Sequence, residues 1–378
     1  MKVVICSPYY GVNPNNPGGI AIWARNINAY YETHVKDVEL DICPIDREHD
    51  FENVLSLKRI WYGVKEYWRN IKKVKAFVKD KDYDVMHVCS SASLSLLKDY
   101  LFMLVAKMYT MKTTIHFHFG RIPKVFAAKN WEYRLINLVI KKADHIVVMD
   151  MKSYNTLLNA GFYNITYLPN PLSTSVCMAI EKVASFSCSR EEGSVLFAGH
   201  IIPSKGVFEL IEACSRIKTV KKLTMIGYIE DINVKDELMA RADQIRGYHD
   251  WVVFTGGIPH EQVIKEMLTC SLFVLPSYTE GFPNVILESM ACACPIISTP
   301  VGAIPEMLDS QSSEPCGSLV DVGDVKGLQS MIESYLELRD EALIMGYRAQ
   351  KRVNTVYSID IVWKRLINVW ETASKLSN

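Results

Sequence analysis

SYTEGFPNVILESMACACPII (residues 277–297) follows the apolar run Leu272–Pro276 and holds two carboxylates, Glu280 and Glu288, with seven residues between them. An apolar strand, a short Gly-containing loop and a helix, in that order, place Glu280 in the loop and Glu288 on the helix. The unpaired N–H groups of the helix N-terminus then point at whatever lies beyond the strand end, and anions bind there readily. The carboxylates repel an anion but accept hydroxyl groups well. The stretch therefore suits a ligand that carries both phosphate and hydroxyls, as a nucleotide sugar does.

The rest of the chain repeats this alternation. Strand candidates are Lys2–Cys6, Val38–Ile42, Val85–Val88, Thr113–Phe117, His145–Met149, Ile165–Leu168, Val195–Ala198, Lys222–Ile226, Val252–Thr255, Leu272–Leu275 and Pro295–Ser298. Many are continuous apolar runs, as parallel strands covered on both faces require, and helical segments lie between most of them. This is the pattern of doubly wound α/β sheets. The Asn-Pro and Ser/Thr chemistry of LPNPLSTS (168–175) marks a boundary. It divides the chain into 1–172, 173–358 and a final helical segment, 359–378, in which Trp363 and Trp370 share a face.

Lys plus Arg and Asp plus Glu both total 42 in 378 residues, so no net field calls for nucleic acid. The halves differ: residues 1–170 carry 23 basic and 16 acidic side chains, and residues 171–378 carry 19 and 26. Ten cysteines show no CxxC pair and no even spacing, which fits a reduced, cytoplasmic compartment. MKVVICSPYY reads as a first strand, not a signal peptide, and YLFMLVAKMYTM (100–111) is too short to span a bilayer. Any membrane contact is expected to be peripheral, on the inner face of the cell membrane.

The excess of positive charge lies in KRIWYGVKEYWRNIKKVKAFVK (58–79), with eight bases and one acid. Ile60, Val64, Tyr67, Ile71, Val74 and Val78 predict a helical seam. Trp61 and Trp68 form the next stripe, and Lys58, Lys65, Lys72 and Lys79 the one after. Apolar, aromatic, then cationic is the order that suits an anionic lipid surface, with Trp61, Lys65, Trp68, Lys72 and Lys79 as the contacts. A docked helix with a solvated basic face is the alternative.

The 277–297 block resembles the E-x7-E signature of retaining glycosyltransferase family 4, of the bacterial surface-polysaccharide type, which has the GT-B fold. The resemblance implies two Rossmann-like domains facing each other across a cleft. The first would take the acceptor, the second the nucleotide-sugar donor, and the final helix would cross back to the first. It implies a hexosyltransferase that moves a sugar from a UDP- or GDP-linked donor to a hydroxyl of a saccharide acceptor carried on a polyprenyl lipid. No metal and no other cofactor is implied, and DYDVMH (82–87) is read as a strand start rather than a metal-binding D-x-D.

Site residues carry over by motif. Glu280 would hold donor-sugar hydroxyls and Glu288 the ribose. Amides of Gly281, Phe282 and Asn284 would meet phosphate, since Pro283 has no N–H. GHIIPSKG (199–206) resembles the family's G-R-x-x-x-x-K-G segment, so Lys205 would meet the diphosphate, with His200 where the family has arginine. Gly18 and Gly19 resemble its N-terminal Gly-Gly loop. Gly257 and Ile258 resemble the loop that holds the nucleobase. His118, in HFHFGRIP (116–123), would position the sugar or acceptor. His116 competes as a structural residue, and a zinc pair lacks a nearby third ligand. Ala293 stands where the family has glycine, and Gly302 and Glu306 belong to a further block of less defined role. A nucleotide-sugar epimerase of the same fold and a catalytically weak nucleotide-sugar binder are the rival readings. A dehydrogenase is excluded, because no strand leads into G-x-G-x-x-G.

Overall fold

The computed structural model describes residues 1–10, 18–34, 38–46, 56–184, 189–229 and 231–375, with the side chains of residues 56–62 outside the description. The chain forms two compact units. Unit 1 is Met1–Pro171 with Ile359–Asn378, and unit 2 is Leu172–Ser358.

Unit 1 runs β1 Lys2–Ser7, α1 Gly19–Thr33, β2 Glu39–Pro44, α2 Ser56–Val78, β3 Val85–Ser90, α3 Ser95–Met108, β4 Lys112–Phe117, α4 Ile122–Ala128, α5 Trp131–Lys142, β5 His145–Val148, α6 Met151–Asn159 and β6 Ile165–Tyr167. Its six strands are parallel in the order β2-β1-β3-β4-β5-β6. Unit 2 begins with α7 Thr174–Ala184 and β7 Glu191–Ala198. A 3-10 turn at Pro203–Lys205 leads into α8 Val207–Ser215, β8 Lys222–Ile226, α9 Ile232–Arg246, β9 Val252–Gly256, α10 His260–Thr269 and β10 Cys270–Leu275. It ends with α11 Asn284–Ala291, β11 Ile296–Ser298, α12 Ile304–Met307, β12 Ser318–Leu319, α13 Val325–Glu337 and α14 Arg339–Val356. Its strands are also parallel, in the order β12-β11-β10-β7-β8-β9. The last helix, α15 Ile359–Lys375, packs into unit 1.

All eleven strand candidates fall on strands. Burial on both faces explains their apolar runs: every residue of β3 is buried, as are five of six in β1 and β4. One face of the unit 1 sheet is covered by α1 and α15, through Trp23, Ala24 and Ile27 and through Val362, Trp363, Leu366 and Trp370. Trp363 and Trp370 are both buried, and Tyr30 donates to Asp360 at 2.5 Å. Asn130, Asp150, Asp231 and Asp324 cap α5, α6, α9 and α13 by accepting backbone N–H bonds.

The seam expected on α2 needs correction. Val74 and Val78 are buried, but Val64 is exposed, and the buried line continues upward through Asn70 and Glu66. The C-terminal half of α2 lies on the apolar core of the sheet. The N-terminal half meets a polar pocket instead, so the apolar period stops at Ile71.

Ala293 follows α11 with φ +49°, the left-handed position that closes a helix and favours glycine. The end is held by Arg190. Its guanidinium donates to the carbonyls of Met267 and Cys270 and to those of Cys292 and Ala293, at 2.8–3.1 Å. A methyl group in left-handed backbone costs about 1 kcal/mol or more, part of which a glycine returns through the unfolded chain. Ala293→Gly is therefore expected to raise the melting temperature by about 2 °C, measured by calorimetry. A lower melting temperature would show that the methyl packs favourably.

Candidate functional site

In open parallel sheets, ligands bind beyond the carboxyl ends of the strands where the strand order reverses. That point lies between β7 and β10 in unit 2 and between β1 and β3 in unit 1.

In unit 2 the loops after β7 and β10 carry Lys205 and Glu280. Lys205 Nζ lies 2.6 Å from Glu280 Oε1, with side-chain exposures of 25% and 10%. Ser277 Oγ donates to the same oxygen at 2.7 Å. Both bonds end on Oε1, which leaves Oε2 for a further donor such as a hydroxyl.

Two glycines let the loops close. Gly206 has φ +69°, and a Cβ there would meet the Pro276 carbonyl oxygen at 2.1 Å. Gly302 has φ +55°, and a Cβ there would strike the carbonyl oxygens of Gly281 and Glu280 at 2.4 and 2.5 Å. The Tyr278 amide donates to Ser204 O, and the Ala303 amide to Gly281 O, each at 2.9 Å. Gly302 thus acquires a role the sequence left undefined: its loop supports the backbone that carries Glu280. Glu306 serves through its carbonyl oxygen, which accepts from Arg352 and Tyr357.

Phe282 is buried beside the Tyr357 ring, and α11 starts at Asn284 with Pro283 as its N-cap, so the missing N–H costs the helix nothing. Glu288, on α11, sits 3.3 Å from His260 at the start of α10. The hydrogen bond to Glu288 raises the His260 pKa above its usual 6.5, outweighing desolvation. His260 was missed by sequence reasoning. Gly257 lies exposed under Tyr228, whose ring a Cβ at 257 would meet at 2.5 Å, and Ile258 follows it in the same loop. His200 follows β7 at the switch point.

In unit 1, His118 sits just past β4, its amide donating to Ser90 O at 3.0 Å. Its ring packs against His116 at 3.9 Å and against Trp23 at 5.1 Å. Burial and the neighbouring His87 hold its pKa down to about 3, so it is a neutral imidazole across the physiological range.

A third ligand for a histidine pair does lie nearby, contrary to expectation. His87, Cys89 and His116 place their ligand atoms within 4.8 Å of one another, brought together by the β3–β4 pairing. One ring nitrogen of each histidine already accepts a hydrogen bond. Trp370 Nε1, which can only donate, bonds His87 Nδ1 at 3.1 Å. His87 must then carry its proton on Nε2, which lies 3.3 Å from His116 Nδ1. Burial raises the Cys89 thiol to about 12, so it is no thiolate. His87 and His116 form a hydrogen-bond chain anchored by Trp370 of α15, and the Cys89 thiol pairs with Ser7 instead.

Gly18 and Gly19 line a pocket of about 350 Å³ within unit 1, at its switch point. Sequence reading did not anticipate that pocket. On α2, Trp68, Lys65 and Lys72 are exposed, as is Lys79 just past its end, and the Trp61 side chain lies outside the described residues.

The His260–Glu288 pair makes a pH-dependent prediction. A raised folded-state pKa adds stability that is full below the unfolded value of 6.5 and is lost as pH rises through the folded value. Wild type is expected to melt above His260→Gln at about pH 6, and the two to converge near pH 9. A pH-independent difference would rule out the ion pair.

Residues 182–352 match the family described as Glycosyl transferases group 1. The capsular polysaccharide biosynthesis glycosyltransferase CapM of Staphylococcus aureus is 30% identical over 194 residues, 48% of this chain and 46% of that protein. The MMP alpha-(1->4)-mannosyltransferase of Mycolicibacterium hassiacum is 26% identical over 181 residues, 47% of this chain and 43% of that protein. The matches thus span less than half the length of these curated relatives. Sucrose-phosphate synthase of Thermosynechococcus elongatus superposes with a TM-score of 0.76 at 18% identity, covering 98% of each chain. HepE of Anabaena, solved with UDP, gives 0.70 at 16% identity over 98% of this chain and all of that one. The second unit thus matches the group 1 glycosyl transferases over most of its length, and the two parallel six-stranded sheets have the GT-B fold.

Proposed function

We propose that the protein is a retaining, metal-independent hexosyltransferase of polysaccharide assembly. It would transfer a sugar from a UDP- or GDP-linked donor to a hydroxyl of a lipid-linked saccharide at the inner face of the cell membrane. The observation that carries this reading is the Lys205–Glu280 contact at the unit 2 switch point, within the segment that matches the family. CapM, named for capsular polysaccharide biosynthesis, and the UDP and UDP-glucose complexes of HepE support the substrate class.

In this reading the diphosphate draws Lys205 away from Glu280. The ammonium, with amides of Gly281, Phe282 and Asn284, stabilises charge on the leaving group. Glu280, released, accepts sugar hydroxyls, and Glu288 accepts the ribose hydroxyls beside His260. The nucleobase rests on the Gly257–Ile258 backbone. His118, neutral, offers a hydrogen bond to the sugar or acceptor and no proton exchange at neutral pH. Attack from the leaving-group face lets the departing phosphate take the acceptor proton. His200 replaces a guanidinium by an imidazole, which weakens the hold on phosphate and favours, as a second reading, a binder of low turnover.

Two experiments test this. A thermal-shift panel of UDP- and GDP-sugars identifies the donor, and turnover then releases free nucleotide only when acceptor is present. Lys205→Met and Glu288→Ala are each expected to lower turnover about 10²–10³-fold while the fold persists. Wild-type turnover in Glu288→Ala removes the assignment, and nucleotide release without acceptor favours another reaction.

The membrane part rests on α2. Trp68 is 62% exposed beside Lys65, Lys72 and Lys79, and the neighbouring α3 exposes Leu97 and Leu101, with Leu94 at its N-cap. No helix among the described residues is long and apolar enough to cross a membrane. Each lysine at an anionic surface contributes about 1 kcal/mol. Changing Lys65, Lys72 and Lys79 to Glu is expected to release the protein from anionic vesicles in co-sedimentation, and unchanged binding ends the idea.

A further inference from the structure

Three rings pack together beside the end of β4. Trp23 of α1 meets His116 and His118 edge-on, with ring centroids 5.1 Å away in each case, and the two imidazoles stand 3.9 Å apart. Each ring carries a buried nitrogen with no hydrogen-bond partner among the described residues: Trp23 Nε1, His116 Nε2 and His118 Nε2. A buried polar atom left unpaired is costly, so the placement of protons on these rings matters.

Two of the three nitrogens are fixed as donors. An indole nitrogen can only donate. For His116 the direction is set from α15. Trp370 Nε1 donates to His87 Nδ1 at 3.1 Å, so a neutral His87 keeps its proton on Nε2. That proton meets His116 Nδ1 at 3.3 Å, so a neutral His116 keeps its own on Nε2. Burial holds both rings neutral, with the His87 pKa down to about 3 and that of His116 well below its usual value. His118 thus joins two N–H groups that have nothing to bond. A third N–H would leave the cluster with three donors and no acceptor. A bare Nε2 on His118 supplies the acceptor.

We propose that Trp370, acting through His87 and His116, fixes the proton of His118 on Nδ1. His118 is part-exposed with Nε2 turned inward, so the group it offers a ligand is a hydrogen-bond donor. Trp370, His87 and His116 are positioning residues, and the last helix of the chain sets the chemistry at the end of β4. The consequence for transfer rests on the proposed function: His118 donates to a sugar or acceptor oxygen and takes no proton from a hydroxyl.

Nitrogen NMR of the histidine-labelled full chain separates protonated from bare ring nitrogens, and His118→Gln identifies the His118 signals. Wild type, with no ligand added, is expected to show His118 protonated on Nδ1. A proton on Nε2 overturns the proposal, whatever the turnover. Trp370→Phe removes the indole donor and lets the chain reverse, so the His118 proton is expected to move at least partly to Nε2. An unchanged His118 spectrum in a folded Trp370→Phe overturns it too.

Turnover supplies a second readout. Asparagine at 118 puts an amide N–H where Nδ1 lies, and glutamine puts one where Nε2 lies. His118→Asn is expected to turn over about tenfold faster than His118→Gln. Glutamine as active as asparagine overturns the donor assignment. An amide has no tautomer to lose, so Trp370→Phe is expected to slow the wild type but to cost nothing further in His118→Asn. Equal losses in both backgrounds mark Trp370 as a packing residue only and overturn the proposal. Absence of turnover with every donor, while His118 is protonated on Nδ1, overturns the transfer reading and leaves the proton assignment standing.

Discussion

One ammonium–carboxylate contact, Lys205 with Glu280, organises the candidate site of unit 2. Two charges taken largely out of water are stable only where geometry repays their desolvation. Here the repayment is structural. The turn that carries Lys205 closes onto the end of β10 because Gly206 has no side chain. The loop that carries Glu280 rests on Gly302 and is fastened by Thr299, whose hydroxyl donates to the Ser277 carbonyl at 2.6 Å. In the proposed reading, a nucleotide would have to break a formed ion pair rather than fill an open cradle. The pair would then set a threshold that a weak anion does not cross, while a diphosphate, which offers Lys205 more negative charge, would.

Much of this was legible in the sequence, and the parts that were not have identifiable causes. Eleven strands announced themselves as apolar runs because parallel strands are buried on both faces. β12, at two residues, is too short to carry a period. The two glutamates and Lys205 stood out through spacing and flanking residues. His260 did not, because it meets Glu288 only through the neighbouring placement of α10 and α11, which no local pattern encodes. The same holds for His87 and His116, joined by strand pairing across 29 positions.

The α2 helix taught the opposite lesson. Its hydrophobic period continued in sequence past the point where the core ends. The real signal was a conflict: the single acid among eight bases, Glu66, and an amide, Asn70, sit on the line of Val74 and Val78. A polar pair on an otherwise apolar stripe marked where the helix leaves the sheet and reaches a pocket. Lys98 and Asp99, adjacent and buried within the largely apolar α3, carried the same message.

The return of α15 to unit 1 makes the second unit an insertion within the first. Vectorial synthesis then orders assembly. Unit 2 is contiguous and can fold as soon as its last strand and helices leave the ribosome. Unit 1, though its strands precede unit 2, has one sheet face covered only by α1 until Trp363 and Trp370 arrive, and with them the donor that fixes the His87 proton. The strands of unit 1, made before unit 2, are thus completed only after it, and their apolar face is the part of the nascent chain most in need of shelter.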